Sequence, residues 1–305
     1  VIGRGSAAAD GAIAVGVENL SLWCGGNVDY GVFVAGGAGS KFTALRVYQA
    51  KINGFHMAAR IGNDRCVLTA CSAELCGRIF KTAGRSAPSG AAPKTTVAGS
   101  ASTTSGSNTI IGDASTNFTL ATGALPGDFI AIGAGTIAGD TEWFQIASIE
   151  DYLMPGDGRK ITVSNFTPAA QTRSNQPFQI CVGNGYYEEP FNDNNIMVID
   201  SFLVRNCAGS GIVFNGLISS SVRAAQLDAC GAFPIRIGRA GAGAPTNVRI
   251  SDVYIETFNP LVDAPGVIYV GAVNGLFVDT IRSAIPARQR ERATGDRGAV
   301  EQRDC

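Results

Sequence analysis

A similar pattern of apolar and polar residues recurs in five segments of the chain, and these segments align without gaps. The segments are LRVYQAKINGF from Leu45, LTACSAELCGR from Leu68, IDSFLVRNCAG from Ile199, VRAAQLDACGA from Val222 and SDVYIETFNPL from Ser251. The third residue from the end of each segment is Asn or Cys, and the residue after it is usually Gly or Ala. Such self-similarity predicts a solenoid, in which each repeat buries its apolar face against the next.

The closing residue of each repeat sets the period. In the five segments this position holds Asn53, Cys76, Cys207, Cys230 and Asn259, and an earlier copy, ENLSLWCGG, places Cys24 there. The steps are 29, 23, 23 and 29 residues, apart from one long gap between Cys76 and Cys207. Three short strands and their turns need about this length, so the pattern predicts an all-β fold, a right-handed parallel β-helix. Cysteine is expected here as a small residue that stacks at a turn.

Other columns of the alignment support this register. Two columns are predicted to stack inside the solenoid: Leu45, Leu68, Ile199 and Val222, and Ala50, Ala73, Val204 and Leu227. Two more alternate in charge: Lys51, Glu74, Arg205 and Asp228, and Asp200, Arg223 and Asp252. Stacked strands lie about 4.8 Å apart, so these charges are expected to form solvent-facing ladders of opposite sign.

The period disappears in the middle of the chain. We predict β-helix coils over residues 1–85 and 191–285, a β-rich insertion over 86–190, and a disordered charged tail over 286–305. The insertion opens with a Ser-, Thr-, Gly- and Pro-rich loop and continues in short strand-like runs parted by Pro-Gly and Gly-Asp turns. A small antiparallel module projecting from the solenoid is expected, because solenoids tolerate insertions at turns.

The composition of the chain limits the classes of structure and partner that are expected. With 39 Gly and a charged fraction of 16%, the chain suits strands and tight turns better than amphipathic helices. The net charge of −1 gives no reason to expect nucleic acid, and no apolar run is long enough to cross a bilayer, so neither nucleic acid nor a membrane is expected as partner.

The start at Val1 is expected of a fragment or a processed product. No pair of CxxC motifs has zinc spacing, and neither a metal site nor a cofactor is predicted.

The run NNIMVIDSFLVRNCAGSGIVFNG, from Asn194, resembles the coils of the pectate-lyase-like β-helix superfamily, which includes phage tailspikes and capsule depolymerases. The run GTIAGDTEWFQIASI likewise resembles β insertions of phage tail proteins. This resemblance implies a bacterial polysaccharide as partner, a homotrimer, and a place on a virion tail or outside the cell. The Asp-Asp, Gly-His-Gly and Arg-x-Lys motifs of polygalacturonase-like relatives are missing, so no catalytic residue is carried over.

Carboxylates are the candidates for chemistry. Glycoside hydrolysis needs two of them, about 5 to 5.5 Å apart for retention or 6.5 to 9.5 Å for inversion, and neighbouring coils can provide either separation. Glu256 falls in the inward column of the alignment, where desolvation would suit a general acid, and Asp228 lies one coil below. Asp252 and Asp200 are further options. The alternative is that Asp228, Asp200 and Asp252 only pair with arginines in the ladders, while Glu256 marks a shift of register.

Other side chains are candidates for substrate binding. Arg205 and Arg223 could neutralise a uronate carboxyl, and the segment after the insertion places Tyr186, Tyr187 and Glu188 where rings and a carboxylate could meet a sugar. The alternative for that segment is a solvated loop with tyrosine packed beneath it. The one histidine, His56, is expected to be a core or turn residue, because no Gly-x-Ser-x-Gly accompanies it.

The leading hypothesis is a phage-tailspike-like β-helix that recognises a bacterial surface polysaccharide and cleaves it with Asp228 and Glu256. Two rivals stay open. One is a non-catalytic tail-fibre or adhesin shaft, and the other is a secreted polysaccharide lyase or epimerase. The sequence leaves open whether the chain is an enzyme.

Overall fold

The computed structural model describes residues 2–3, 14–58, 63–82, 94–118, 124, 126–134, 140–150, 158–163, 169–189, 194–216, 218–238, 244–256 and 267–284. Regular structure in these ranges is β-strand throughout, with no helix. Accordingly, they contain no helix long and apolar enough to span a membrane. The predicted tail over 286–305 and the closing residue Asn259 lie outside these ranges.

Ten strands precede the inserted module: β1 (Ile2–Gly3), β2 (Gly16–Glu18), β3 (Ser21–Trp23), β4 (Tyr30–Ala35), β5 (Lys41–Thr43), β6 (Arg46–Tyr48), β7 (Asn53–Met57), β8 (Asn63–Asp64), β9 (Val67–Thr69) and β10 (Ser72–Glu74). The module contains β11 (Arg78–Lys81), β12 (Lys94–Thr96), β13 (Ala101–Thr103), β14 (Thr109–Gly112), β15 (Phe129–Ile132), β16 (Glu142–Ile149), β17 (Lys160–Val163), β18 (Arg173–Gln176) and β19 (Phe178–Val182). The rest are β20 (Tyr186–Glu188), β21 (Asn194–Asn195), β22 (Val198–Asp200), β23 (Leu203–Arg205), β24 (Ile212–Phe214), β25 (Ser221–Arg223), β26 (Gln226–Asp228), β27 (Ile235–Ile237), β28 (Thr246–Glu256), β29 (Ile268–Val270) and β30 (Asn274–Ala284).

The strands outside the module form a parallel β-solenoid of about eight turns. Each full coil contributes a strand to a first arm, a strand to a second arm and a strand to a third sheet. The first arm runs β2, β5, β9, β22, β25 and into β28, the second runs β3, β6, β10, β23, β26 and into β28, and the third sheet runs β1, β4, β7, β20, β24, β27 and β29. The predicted parallel β-helix with a small antiparallel insertion is confirmed.

The corner between the two arms is made by one residue per coil in the left-handed region. Ala44, Ala70, Ser201 and Ala224 have φ between 52° and 54°. This conformation costs about 1 to 2 kcal/mol for an L-residue, but it leaves the backbone ladder unbroken. The amide of Ala70, for example, donates to the carbonyl of Asp200 in the next coil.

The inward columns follow the predicted register in the central coils only. Leu68, Ile199 and Val222 pair in line, as predicted. Phe42 rather than Leu45 continues this column on one side, and Ile250 rather than Ser251 on the other, so both outer segments were wrongly aligned. The three-residue slip from Phe42 to Leu45 has a physical cause. Both residues are buried, because each coil points one side chain inward on either side of the corner.

The cysteine column is confirmed in part. The amides that follow Cys207 and Cys230 donate to the carbonyls of Cys76 and Cys207 in the neighbouring coils, whereas the amide that follows Cys76 donates to the carbonyl of Ala50. Ala50, not Asn53, therefore occupies this position in the preceding coil. The cysteines of the described residues are free thiols, and all but Cys24 are buried.

Glycine recurs at the turn that leads into the third sheet, for a steric reason. A Cβ on Gly54, Gly185 or Gly211 would lie 2.7 Å from the carbonyl oxygen of the coil stacked on it. Real Cβ atoms do not approach so closely, so the stacking distance of the solenoid requires glycine there.

The module is a nine-stranded sheet in the order β12-β11-β19-β15-β16-β17-β14-β13-β18, antiparallel except for the β11–β12 pair. It has its own apolar core, which includes Phe118, Phe144 and Phe178. Its strands run from residue 78 to residue 182, against the predicted 86–190, because β11 and β19 pair at its root and β20 already belongs to the solenoid. Phe129 and Cys181 of the module pack against Phe233 of the solenoid.

Candidate functional site

The outer face of the second arm carries one row of aromatic and charged side chains. The strand register places them in this order along the solenoid axis: Trp23, Tyr48, Glu74, Arg205, Asp228 and Glu256. We call this set the second-arm row. It lies outward because each of its members directly follows an inward residue of its strand, and successive side chains of a strand point to opposite faces.

The aromatic end of the second-arm row is open to solvent. The Trp23 side chain is 73% exposed, and its ring stacks on that of Tyr48 with centroids 5.8 Å apart and planes at 23°. A hydrogen bond to Glu74, together with the charge of that carboxylate, raises the pKa of Tyr48. The exposed indole and the partly exposed phenol ring together form an aromatic platform, which makes this end of the row a candidate binding surface.

The charged end of the row brings two predicted catalytic residues together. Asp228 and Glu256 are register partners on adjacent strands, about 4.8 Å apart at the backbone. Arg205 lies on the other side of Asp228, with its Nε 3.5 Å from the Asp228 Oδ2. The ladder predicted from Glu74 through Arg205 to Asp228 is confirmed, whereas Tyr48 takes the place predicted for Lys51.

The predicted inward position of Glu256 was wrong. Ile255 pairs with Leu227 and is fully buried, so Glu256 falls on the outer face. A slip of one residue moves every side chain of a strand to the opposite face, and the gap-free alignment made that slip in its last segment. The expected desolvation of this carboxylate therefore has no basis in the fold, although the residue still lies beside Asp228.

Asp200, Arg223 and Asp252 lie on the first arm instead. Asp200 Oδ2 accepts a bond of 2.7 Å from Arg223 Nη2, and this bond lowers the pKa of the Asp200 carboxyl. Ser251, not Asp252, continues the row, so the predicted place of Asp252 was wrong. Asp252 is an exposed corner residue with φ 51°, and its charge adds to that of Asp200 in raising the pKa of Arg223.

The predicted exposed cluster at Tyr186, Tyr187 and Glu188 was wrong, because all three are buried in the third sheet. Tyr186 and Glu188 point into the solenoid, and Tyr187 points outward. The Tyr187 ring lies 5.3 Å from the ring of His56 and 5.7 Å from the guanidinium of Arg236. None of the three is therefore available to a ligand on the surface.

Glu188 is a carboxylate held inside the solenoid by several donors. It accepts bonds from the Tyr186 hydroxyl at 2.9 Å, the Ser220 hydroxyl at 3.1 Å and the Gly216 amide at 2.7 Å. Burial raises the pKa of Glu188 to about 7, although these hydrogen bonds oppose the shift. Desolvation of the charged form therefore outweighs stabilisation by four donors, the fourth being the Asn215 amide.

The aromatic platform of Trp23 and Tyr48 was not predicted from the sequence. Trp23 and Tyr48 stand at outward positions of ENLSLW and LRVYQA, in line with the polar residues of later coils. A correct register in the first two coils would have placed them beside Glu74. Within the described residues, no group of three or more His, Cys, Asp or Glu could hold a metal ion.

No protein-family model matches this sequence, and no curated protein matches it either. Among solved structures, the chain is similar to the tailspike protein gp49 from Pseudomonas phage LKA1, with 10% identity and a TM-score of 0.21. The match covers 70% of this chain and 46% of that one, so the chain spans about half the length of this neighbour.

Proposed function

We propose that this β-solenoid binds a bacterial surface polysaccharide along the second-arm row. The observation that carries the proposal is the exposed Trp23–Tyr48 platform in line with Glu74, Arg205, Asp228 and Glu256. Aromatic faces stack on sugar rings, and charged side chains bond to sugar hydroxyls. A row with one side chain about every 4.8 Å offers such contacts repeatedly to an extended polymer.

We further propose that Asp228 and Glu256 cleave the bound polymer. Side chains on adjacent strands can hold carboxyl groups near the 5 to 5.5 Å of a retaining glycosidase. Arg205 lies 3.5 Å from Asp228 and can hold its carboxylate in place for attack as a nucleophile at the anomeric carbon. Glu256 would then protonate the leaving oxygen and later accept a proton from the water that releases the glycosyl group.

Binding without cleavage is the second candidate function. The Arg205–Asp228 ion pair favours it, because a charge ladder of this kind also serves as a plain structural contact between coils. In that case the chain is a receptor-binding shaft. The setting that the family resemblance implies, a homotrimer on a virion tail, belongs to either version, and light scattering of the purified chain tests the trimer.

Binding to a panel of purified capsular and O-antigen polysaccharides tests the proposal. Trp23→Ala with Tyr48→Ala should weaken binding of the recognised glycan at least tenfold. Phe277→Ala is the matched control, since Phe277 is a 55% exposed ring on β30, away from the row. Equal binding by both variants would reject the second-arm row as the site.

Cleavage is tested on the same glycans by following reducing ends and the ultraviolet absorbance of unsaturated sugars. Reducing ends alone indicate a hydrolase. New absorbance indicates a lyase, which would contradict the assignment of Asp228 and Glu256. Binding with neither signal leaves the shaft as the function.

A further inference from the structure

The sequence contains four Asn-Gly pairs, and the structure describes all of them. They are Asn53–Gly54, Asn184–Gly185, Asn215–Gly216 and Asn274–Gly275. Asparagine loses its side-chain amide most readily before glycine, because no side chain hinders attack by the backbone nitrogen of the glycine. The four pairs share this chemistry, so a difference in their reactivity has to come from the fold.

Three of the pairs are held inside the protein. Asn53, Asn184 and Asn215 are at most 4% exposed. In each pair the glycine nitrogen that would attack is already engaged as a hydrogen-bond donor. The bonds run from Gly54 to the Asn184 carbonyl at 2.9 Å, from Gly185 to the Ser210 carbonyl at 3.1 Å, and from Gly216 to Glu188 Oε2 at 2.7 Å.

The fourth pair lies at a corner of the last coil that the structure describes. Asn274 and Gly275 begin β30, and both are exposed. Gly275 has φ 86° and occupies the left-handed corner that Ser219 and Asn247 occupy in the two preceding coils. At that corner the amide points to the following coil, as Ser219 does in donating to the Thr246 carbonyl at 2.7 Å. The described residues provide no following coil for Gly275, so the ladder does not engage its nitrogen.

We propose that Asn274 is a deamidation site of the folded protein and that the fold protects the other three pairs. The Gly275 nitrogen attacks Asn274 Cγ, the Cγ–Nδ2 bond breaks, and ammonia leaves with the proton of the Gly275 amide. Water then opens the resulting succinimide. Opening at one carbonyl gives aspartate, and opening at the other gives isoaspartate, whose main chain runs through the side-chain carbons. This chemistry is independent of polysaccharide binding.

Isoaspartate at this position should loosen the last coil. It lengthens the main chain by one methylene at the start of β30, which pairs with β28 from Asn274 to Ala284. Leu276 and Ile281 of β30 pack against the core of the solenoid. Extra length at the corner displaces Leu276 from its partner Val248, so the pairing of the two strands weakens from this end.

Peptide mass spectrometry tests the site directly, because the four pairs fall in four different tryptic peptides. The folded protein is incubated at pH 8.5 and 37 °C, and the gain of one mass unit is located in each peptide by fragmentation. Asn274 should convert at least tenfold faster than the asparagine of any other pair. Equal rates, or faster conversion of another pair, would overturn the proposal.

The same incubation in concentrated guanidinium chloride is the control for the fold. All four pairs should then convert at similar rates, because the unfolded chain neither buries the asparagines nor engages the glycine nitrogens. An equally large spread of rates in the unfolded chain would assign the difference to the flanking sequence and overturn the protection by the fold.

Two substitutions separate the modification from its effect on β30. Asn274→Gln keeps a side-chain amide, but attack by Gly275 would have to close a six-membered ring, so conversion at this position should stop. Asn274→Asp carries the charge of the product on a main chain of normal length. Continued ammonia loss at the same rate in Asn274→Gln would overturn the succinimide route.

Hydrogen exchange of β30 measures the loosening. The aged parent, enriched in isoaspartate, should exchange the amides of β30 at least tenfold faster than the fresh protein, whereas aged Asn274→Gln should not. Asn274→Asp should exchange like the fresh parent. Equal acceleration in Asn274→Asp would overturn main-chain lengthening as the cause, and no acceleration in the aged parent would overturn the effect on the last coil.

Discussion

Gly77 and Gly183 lie face to face where the module leaves the solenoid. A Cβ added to Gly183 would lie 2.3 Å from the Gly77 Cα and 2.3 Å from the carbonyl oxygen of Ile52. Both glycines also have positive φ, at +82° and +99°. The two segments that connect the module to the solenoid can pass between the stacked coils only because Gly77 and Gly183 carry no side chain.

Gly183→Ala should therefore destabilise the protein by about 3 kcal/mol, from backbone strain and overlap together. Gly26→Ala is the matched control, because Gly26 has φ +72° with nothing within 4 Å of an added Cβ. Its strain alone should cost about 1 kcal/mol. Denaturant unfolding measures both, and equal losses would show that the close approach to Gly77 contributes nothing.

Stability should fall as pH rises through the range in which Glu188 titrates. Its folded pKa is about 7, against an ordinary value of 4.5, so between these values the folded state binds more protons than the unfolded one. The resulting loss approaches about 3 kcal/mol above pH 7. Glu188→Gln mimics the neutral form and should remove this slope, leaving the variant more stable than the parent at pH 8. The comparison is made by chemical unfolding at pH 5, 6, 7 and 8, and an unchanged slope in the variant would contradict the assignment to Glu188.

The repeat in the sequence was sufficient to predict the solenoid but not its register. Ile199 and Val222 stack as predicted because they are 23 residues apart, the step that the repeat gives, whereas Phe42 and Leu68 are 26 apart and Val222 and Ile250 are 28 apart. Each coil has two inward positions three residues apart, so Leu45 could stand in for Phe42 without violating the apolar pattern. The turn from the third sheet back to the first arm varies in length, and no local signal reports that variation.

The candidate site was predicted less well for the same reason. Asp228 and Arg205 were placed correctly because they lie in the central coils, whereas the slip in the last segment turned Glu256 inward. Burial of Glu188 and Tyr187 had no signal in the sequence. Tyr187 is buried because the module covers the outer side of the third sheet there. Glu188 can be buried because donors such as Ser220 reach it from another coil.

Arg236 should hold the module against the solenoid. It is 1% exposed, and its guanidinium lies 5.9 Å from the ring of Phe129 in the module and 5.7 Å from that of Tyr187. Arg236→Ala removes these desolvated contacts and the packing of a long stem, so we expect a loss of about 2 to 4 kcal/mol. Hydrogen exchange of β15 should also become faster. Arg249→Ala is the control, because Arg249 makes the same kind of contact with the exposed ring of Phe277, and it should change stability by less than about 1 kcal/mol.

Asp228→Asn and Asp200→Asn compare two similar ion pairs, one in the second-arm row and one on the first arm. Exposed ion pairs contribute little to stability, so both variants should stay folded, and loss of the closer Asp200–Arg223 pair should destabilise the protein more than loss of the Arg205–Asp228 pair. The pKa of Asp200 is lowered in the folded state, so its contribution is present at neutral pH and lost as the pH falls through that lowered value.

On the recognised glycan, Asp228→Asn or Glu256→Gln should lower cleavage at least a hundredfold, while Asp200→Asn should not. Full activity in the first two variants would move the chemistry away from the row, and equal loss in all three would indicate damage to the solenoid rather than to a site.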